Sequence, residues 1–507
     1  RGGDGRRWSQ AFHAAREEHE GTAGPRASDW KPPKEADWSR KTLPRLPMGA
    51  SITTAQAVPA WLRSGWQTAG HDVLGANKLA VVLLAGRREQ GRLAGGPPAG
   101  MADVGLLSRK PMLQVLCERL RRLQYLVNRE KRAIKDLLET RVGAGEKKRL
   151  YQQHGLKKVK LLGTPCEIPL YVMTSAARLQ EVRGFFKKHQ NFGLEQAQIM
   201  IFPQADVPVF DAGGKARLAA RGRIMSQPGG SGGLFEAAQA EGALADMHAR
   251  GVELLYVGAV DNALAKVADP CFVGFARAAG ADVAVKVVEK SHPGERLGVL
   301  VQSVVNAKAP KQRAEFREAP NRVQARIIED AQVPVDMRVS RTAADQRGQR
   351  QLRYRHGSTC QFIFTVEAFK QSCTQGERDP HWVPVAEPYL DWRRGGPPGG
   401  LEGRARSVRV ETHVGDGFRR ARVVAGYLVE RWAEFAPLRL AEGPHAVAEA
   451  VTALSRAHQR WILQAGGTGF AGFREQALAD DSGALLCEVS PLVSYAGEGL
   501  DGAFASA

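Results

Sequence analysis

Three short stretches of the chain carry residue types that can handle phosphate, a nucleobase or a divalent cation. Ala85-Gly86 closes a continuous apolar run and opens a glycine- and arginine-containing segment that reaches Gly100. Backbone N–H groups bared by such a turn can meet phosphate oxygens, although the same dipeptide also serves as an ordinary strand-to-loop turn. Gly229-Gly230-Ser231-Gly232-Gly233 reads either as a flexible linker or, because apolar Leu234 follows directly, as a loop that lets a base approach the backbone. Asp261 follows the apolar stretch Val252 to Val260. A carboxylate there could hold Mg²⁺, which takes one or two carboxylates together with substrate oxygens, or could cap the next element.

The elements that must position these residues are legible from their periodicity. Lys78 to Leu84 holds an unbroken apolar run, from Leu79 on, of the kind expected for a buried parallel strand at the centre of a sheet. Pro111 can open a helix, because Leu113, Leu116, Leu120 and Leu123 fall on one face. Ile168 to Met173 reads as strand, Ala176 to His189 as helix and Gln198 to Phe202 as strand. Val252 to Val260 continues as strand, Asp269 to Ala279 as a short helix and Asp282 to Glu289 as strand. This alternation predicts an α/β fold with a mostly parallel, doubly wound sheet. Ligands of such sheets bind outside the carboxyl ends of the strands, which gathers Ala85-Gly86, Thr174-Ser175 and Asp261-Asn262 around one crevice.

A length of 507 residues with 43% hydrophobic content suits one large domain with satellites. We expect an N-terminal arm over 1–65, a core over 66–392 with charged surface insertions near 128–163 and 307–350, and a smaller C-terminal lobe over 393–507. Helical text runs from Gly417 to Phe435 and from Pro444 to Leu463 in that lobe. The formal charge of +19 raises nucleic acid as a partner. The arginine clusters lack both interleaved RNP-type aromatics and paired Cys/His, so a basic enzyme acting on polyphosphate is the better reading. Six scattered cysteines without a CxxC pair argue against a structural zinc or a disulfide scaffold and suit the cytoplasm. No apolar run is long enough for a membrane helix.

Beyond these readings, the chain resembles the eukaryotic-type UDP-N-acetylhexosamine pyrophosphorylases in ordered blocks. They include Asn77 to Gly86, Gly100 to Leu106, Met173-Thr174-Ser175, Gly232-Gly233-Leu234, Val260-Asp261-Asn262, Lys286 to Lys290 and Ser490 to Leu500. The resemblance implies a Rossmann-like nucleotidyltransferase core. It also implies a reaction of UTP with N-acetylglucosamine or N-acetylgalactosamine 1-phosphate, assisted by Mg²⁺, that gives the UDP-sugar and pyrophosphate. By the same resemblance Leu84, Ala85, Gly86 and Arg87 begin the phosphate loop and Arg92 is its arginine. Gln204 reads uracil with Gly230 and Ser231, Asp261 is the metal ligand, Arg409 stands for a phosphate-binding lysine, and Gly357 and Ser358 line the sugar pocket.

The chain also differs from that pattern. Leu84 to Arg92 is one residue longer than the family loop and poorer in glycine, Ala99 replaces a lysine, and Arg355-His356-Gly357-Ser358 replaces Asn-Ala-Gly-Asn. Three readings therefore stand together: the pyrophosphorylase itself, a UDP-sugar pyrophosphorylase of other sugar specificity, and a silent relative that binds UDP-sugar without turnover. A homo-oligomer is left open.

Overall fold

The computed structural model describes residues 52–86, 100–140, 163–211, 215–220, 223–305, 322–330, 333, 341–344, 350–374, 381–386, 406–438, 447–467 and 486–504. Arg87, Arg92 and Ala99 lie outside the described residues.

The central strand is β2 (Leu79–Leu84), and all six of its residues are buried. Five further strands bear out the parallel reading: β3 (Leu170–Ser175), β4 (Ile199–Gln204), β9 (Leu254–Ala259), β10 (Val283–Glu289) and, at one edge, β1 (Ile52–Thr54). Between β4 and β9 lie β5 (Asp206–Asp211), β6 (Leu218–Ala220), β7 (Arg223–Ile224) and β8 (Ser226–Pro228). Beyond β10 come β11 (Val299–Val305), β12 (Arg322–Ile328), β13 (Arg341–Ala344), β14 (Arg350–Leu352), β15 (His356–Thr365), β16 (His381–Ala386), β17 (Arg406–Glu411) and β18 (Val424–Leu428). The main sheet runs in the order β1-β18-β10-β15-β9-β2-β3-β4, with β11 and β12 branching from β15. Its neighbours are parallel except where β15 enters antiparallel between β10 and β9. A second, four-stranded sheet has the order β16-β17-β5-β8.

Alternation along β2 feeds two separate cores, because successive side chains of a strand point to opposite faces. Leu79, Val81 and Leu83 pack with residues of α1 (Ala60–Gly75), α2 (Met112–Thr140), α3 (Leu179–Lys188) and, further along the chain, Pro270–Ala278. Ala80, Val82 and Leu84 pack on the other face with α4 (Gly233–Ala240), α5 (Ala243–Ala249) and Val366–Thr374. We number the helices Pro270–Ala278 and Val366–Thr374 as α6 and α7, followed by α8 (Arg431–Glu434), α9 (Val447–Gln464) and α10 (Asp501–Phe504).

The helical reading of Gly417 to Phe435 is corrected. A 3₁₀ turn over Val414–Arg420 leads into β18, which hydrogen-bonds between β1 and β10, and only Arg431–Glu434 is α-helical. Ala425 and Tyr427 face one core while Val424 and Leu428 face the other, so a period of two wins once β10 offers an open edge. The main sheet thus takes strands from either side of the bounds drawn at 65 and 393. Likewise, α2 continues to Thr140, and the Lys131 ammonium is buried where it donates to the carbonyls of Gly75 and Thr164.

Two buried histidines make stability depend on pH. His458 of α9 accepts a hydrogen bond from Val489 N at its Nδ1 (3.0 Å), and burial, helped by the charge of Arg119, pushes its pKa down to about 3. Burial next to Arg355 pushes His356 down to about 4. Below the ordinary value of 6.5, the unfolded chain binds protons that these folded imidazoles refuse. Stability therefore falls as pH drops from 6.5 toward 4, by on the order of 1 kcal/mol per pH unit for each histidine. Replacing His458 with Gln should flatten this slope in denaturant titrations at pH 6.5 and 5. An unchanged slope would show that His458 titrates normally.

Candidate active site

The ladders of the sheet bring the expected site residues to one level. Leu84 of β2 lies opposite Ala259 of β9 and Met173 of β3, and Met173 lies opposite Phe202 of β4. Two residues beyond that rung stand Gly86, Asp261, Ser175 and Gln204, with Ser175 and Gln204 still in register. β15 is antiparallel to β9 and β10 and begins at this carboxyl edge, so His356, Gly357 and Ser358 belong to it as well.

Gln204 sits at this edge between Gly86 and Gly233. Its side chain is buried, and its Oε1 has no hydrogen-bond partner among the described residues. A Cβ at Gly86 would come within 3.0 Å of Gln204 Nε2, and one at Gly233 within 2.6 Å of Oε1, so the absence of side chains at both positions makes room for the amide. Thr174 Oγ1, on the adjacent strand, is also buried without a partner among the described residues. A buried amide oxygen and hydroxyl left unbonded each forfeit roughly 1–3 kcal/mol, which a ligand with matching donors or acceptors would recover.

The glycine loop is held against the end of β17. Gly232 N donates to Thr412 O, Thr412 N donates to Gly229 O, and Val414 N donates to the Ser231 hydroxyl. Gly230 has φ +87°, and a Cβ there would stand 2.4 Å from Thr412 O. Ser231 thus spends its hydroxyl on the backbone of the neighbouring segment, and Gly230 permits the close approach. Arg409 of β17 donates to Gln227 Oε1 at 3.0 Å and pairs with Glu411. Its charge is therefore shared with a carboxylate beside the loop, Gly230 lying against the Glu411 side chain.

On the far side, the Asp261 turn is pinned by its neighbours while Asp261 itself is only half-buried. Asn262 is buried, donates to Glu434 O at 2.8 Å and accepts from Ala436 N at 2.8 Å. Asp261 O accepts from Leu438 N at 2.7 Å. Among the described residues, no group of three or more His, Cys, Asp or Glu side chains is placed to hold a metal ion. Gly357 and Ser358 are packed inside β15: a Cβ on Gly357 would lie 2.7 Å from Leu297 Cδ1, and the Ser358 hydroxyl accepts from Cys360 N at 3.2 Å. Next to them, His356 is buried with Nδ1 unpartnered and Nε2 facing the Arg355 Nε at 3.2 Å.

Two features of the edge carried no role in the sequence reading. Thr174 is placed at the crevice by the sequence, but with no role for its hydroxyl. Lys286 lies in a strand of valines, wholly buried, and donates to Asp269 at 2.8 Å and to Glu434 at 2.5 Å. Burial alone would lower its pKa, but the two carboxylates outweigh it and hold the ammonium above its ordinary value.

The architecture is the nucleotidyltransferase fold: it matches a UDP-N-acetylglucosamine pyrophosphorylase from Trypanosoma brucei with a TM-score of 0.69 at 24% identity, over 92% of this chain and 84% of that one. Residues 157–319 match the UTP–glucose-1-phosphate uridylyltransferase family model. Human UDP-N-acetylhexosamine pyrophosphorylase-like protein 1 is 33% identical over 87% of this chain and 77% of its own length. UDP-N-acetylglucosamine diphosphorylase 2 of Arabidopsis thaliana is 29% identical over 87% and 75%. The chain belongs to the UDP-N-acetylhexosamine pyrophosphorylase family.

The packing around Gly230 gives a direct test. Gly230→Ala must either strain the left-handed backbone or push Thr412 away, and should lower the unfolding free energy by roughly 1–3 kcal/mol in denaturant titrations. A change below about 0.5 kcal/mol would show that the loop is not held as described.

Proposed function

We propose that the chain is a uridylyltransferase that joins UTP and N-acetylglucosamine or N-acetylgalactosamine 1-phosphate, releasing pyrophosphate. The observation that carries this reading is Gln204: a buried, unpartnered amide oxygen between two glycines, level with Asp261, in a member of this family. A carboxamide can both donate to and accept from one edge of uracil, which offers an N–H flanked by carbonyls. The reaction is an in-line attack by a sugar-phosphate oxygen on the α-phosphorus of UTP, in which the bond to the β-phosphate oxygen breaks. There is little covalent work for the protein beyond holding two polyanions in line.

Asp261 is the residue that would hold Mg²⁺. A single half-buried carboxylate, with no cluster of further protein ligands among the described residues, suits a cation that keeps phosphate oxygens and water in its remaining positions. When bound, the ion supplies neutralisation of charge on the phosphates. Gln204 fixes the base, the Gly86 and Gly230 turns admit the nucleotide close to the backbone, and Arg409 with Glu411 borders the glycine loop. The beginning of β15, with Arg355, His356, Gly357 and Ser358, supports a sugar subsite beside Asp261. The six free cysteines suit a cytoplasmic enzyme.

Ala99, where the resemblance expects lysine, and the pairing of Arg409 with Glu411 favour one second reading, a relative that binds UDP-sugar without turnover. Pyrophosphate release from UTP and N-acetylglucosamine 1-phosphate with Mg²⁺ separates the two. The enzyme reading predicts release that falls about 10²–10³-fold in Asp261→Ala. It also predicts a raised KM for UTP, with a smaller change in kcat, in Gln204→Leu. Binding of UDP-N-acetylglucosamine with no release would establish the silent relative, and no binding of any uridine nucleotide would sink both readings.

A further inference from the structure

The buried ion cluster under the Asp261 turn is more elaborate than an α/β core requires. Lys286 is 0% exposed, and its ammonium lies between Asp269 and Glu434 and over the rings of Phe272 (5.0 Å) and Tyr427 (5.9 Å). Lys266 meets the other oxygen of Glu434 at 3.3 Å, so two cations face two carboxylates. A well-packed apolar set is often as stable as such a cluster, so its stability alone does not explain it. The β10–β15 ladder also shifts register between Lys286 and Val287, and the Thr359 hydroxyl donates to Lys286 O at 3.0 Å to satisfy that carbonyl.

The cluster has one mechanical output. Glu434 begins a segment that is stitched to the Asp261 turn by four hydrogen bonds: Asn262 Nδ2 to Glu434 O, Ala436 N to Asn262 Oδ1, Ala263 N to Ala436 O, and Leu438 N to Asp261 O. Asn262 and Pro437 form an isolated antiparallel bridge in the middle of it. From the opposite side, Arg119 donates to the carbonyls of Ala263 and Ala265 at 2.9 and 2.8 Å. The turn therefore has no independent position; it stands where 434–438 stands, and the start of that segment is anchored by Lys286.

We propose that Lys286 is a positioning residue for the transfer reaction: through Glu434 and the 434–438 segment it sets the level of Asp261 relative to Gly86 and Gln204. This rests on the reading of Asp261 as the Mg²⁺ ligand. Partners that orient a metal ligand typically change metal affinity or activity by about 10- to 100-fold when removed.

The test uses the full chain with Lys286→Met, which keeps length and volume without charge, and Glu434→Gln, which keeps the hydrogen-bonding oxygen. Three quantities are read: the melting temperature, the affinity for UDP without metal, and the Mg²⁺ concentration that half-saturates both pyrophosphate release and the metal-linked tightening of UDP-N-acetylglucosamine binding. The proposal expects UDP affinity within about twofold of the parent, a half-saturating Mg²⁺ raised about 10- to 100-fold in Lys286→Met, and a smaller rise in Glu434→Gln. A folded variant of either kind with lowered melting temperature and parental Mg²⁺ dependence would overturn it and leave a merely structural cluster. Asp261→Ala, run in parallel, separates the two claims. If it loses the Mg²⁺ response while Lys286→Met keeps it, only the positioning role fails; if it keeps the response, the metal assignment fails and takes the positioning role with it.

Discussion

Everything at the site depends on the pairing of β2 with β9 on one side and β3 on the other. Those ladders run parallel and end together, so the chain leaves the sheet at one level on four strands, at Gly86, Asp261, Ser175 and Gln204. A parallel sheet concentrates its irregular backbone at that edge, where peptide groups are no longer bonded to a neighbouring strand. The complete burial of Leu79–Leu84 fixes the register, because a slip of one residue would exchange the two cores that its alternate side chains fill.

Polar satisfaction then distinguishes scaffold from site. Asn262, Arg119 and Lys286 are buried and bonded, and each braces the Asp261 turn. Among the described residues, Gln204 Oε1, Thr174 Oγ1 and His356 Nδ1 are buried and unbonded at the carboxyl edge. Arg326 Nε, Tyr354 OH and Arg409 Nε, among others, are buried and unbonded as well, so it is the position of Gln204 between Gly86 and Gly233, rather than the want of a partner alone, that singles out its amide. The same contrast explains the glycines: Gly86 and Gly233 clear space for an amide, whereas Gly230 lets a loop lie against Thr412.

Much of this was legible in the sequence, for a physical reason. Buried parallel strands are continuous apolar runs, and the five strands read from the sequence, β4 at the sheet's edge among them, fall within about two residues of their observed bounds. Short strands at the margins were harder. Ile52–Thr54 has too few residues for a pattern, β18 shares its apolar spacing with a helix, and β15 opens on His356-Gly357-Ser358-Thr359, whose polarity hides a buried strand. Gln204, Gly230, Ser231 and Asp261 were singled out through the family resemblance. Arg87 and Arg92 fall outside the described residues. The Lys286–Glu434 contact joins positions 148 apart, which no local pattern can announce. A lone lysine inside a valine-rich strand was its only trace.

The structure of the chain with UTP and Mg²⁺ bound tests the central claim most directly. The account predicts uracil hydrogen-bonded to the Gln204 amide, the ribose along the Gly230 loop, and the ion between Asp261 and the α-phosphate. Nucleotide bound away from the Gly86–Gln204–Asp261 level, or a base that leaves Gln204 unpartnered, would contradict it.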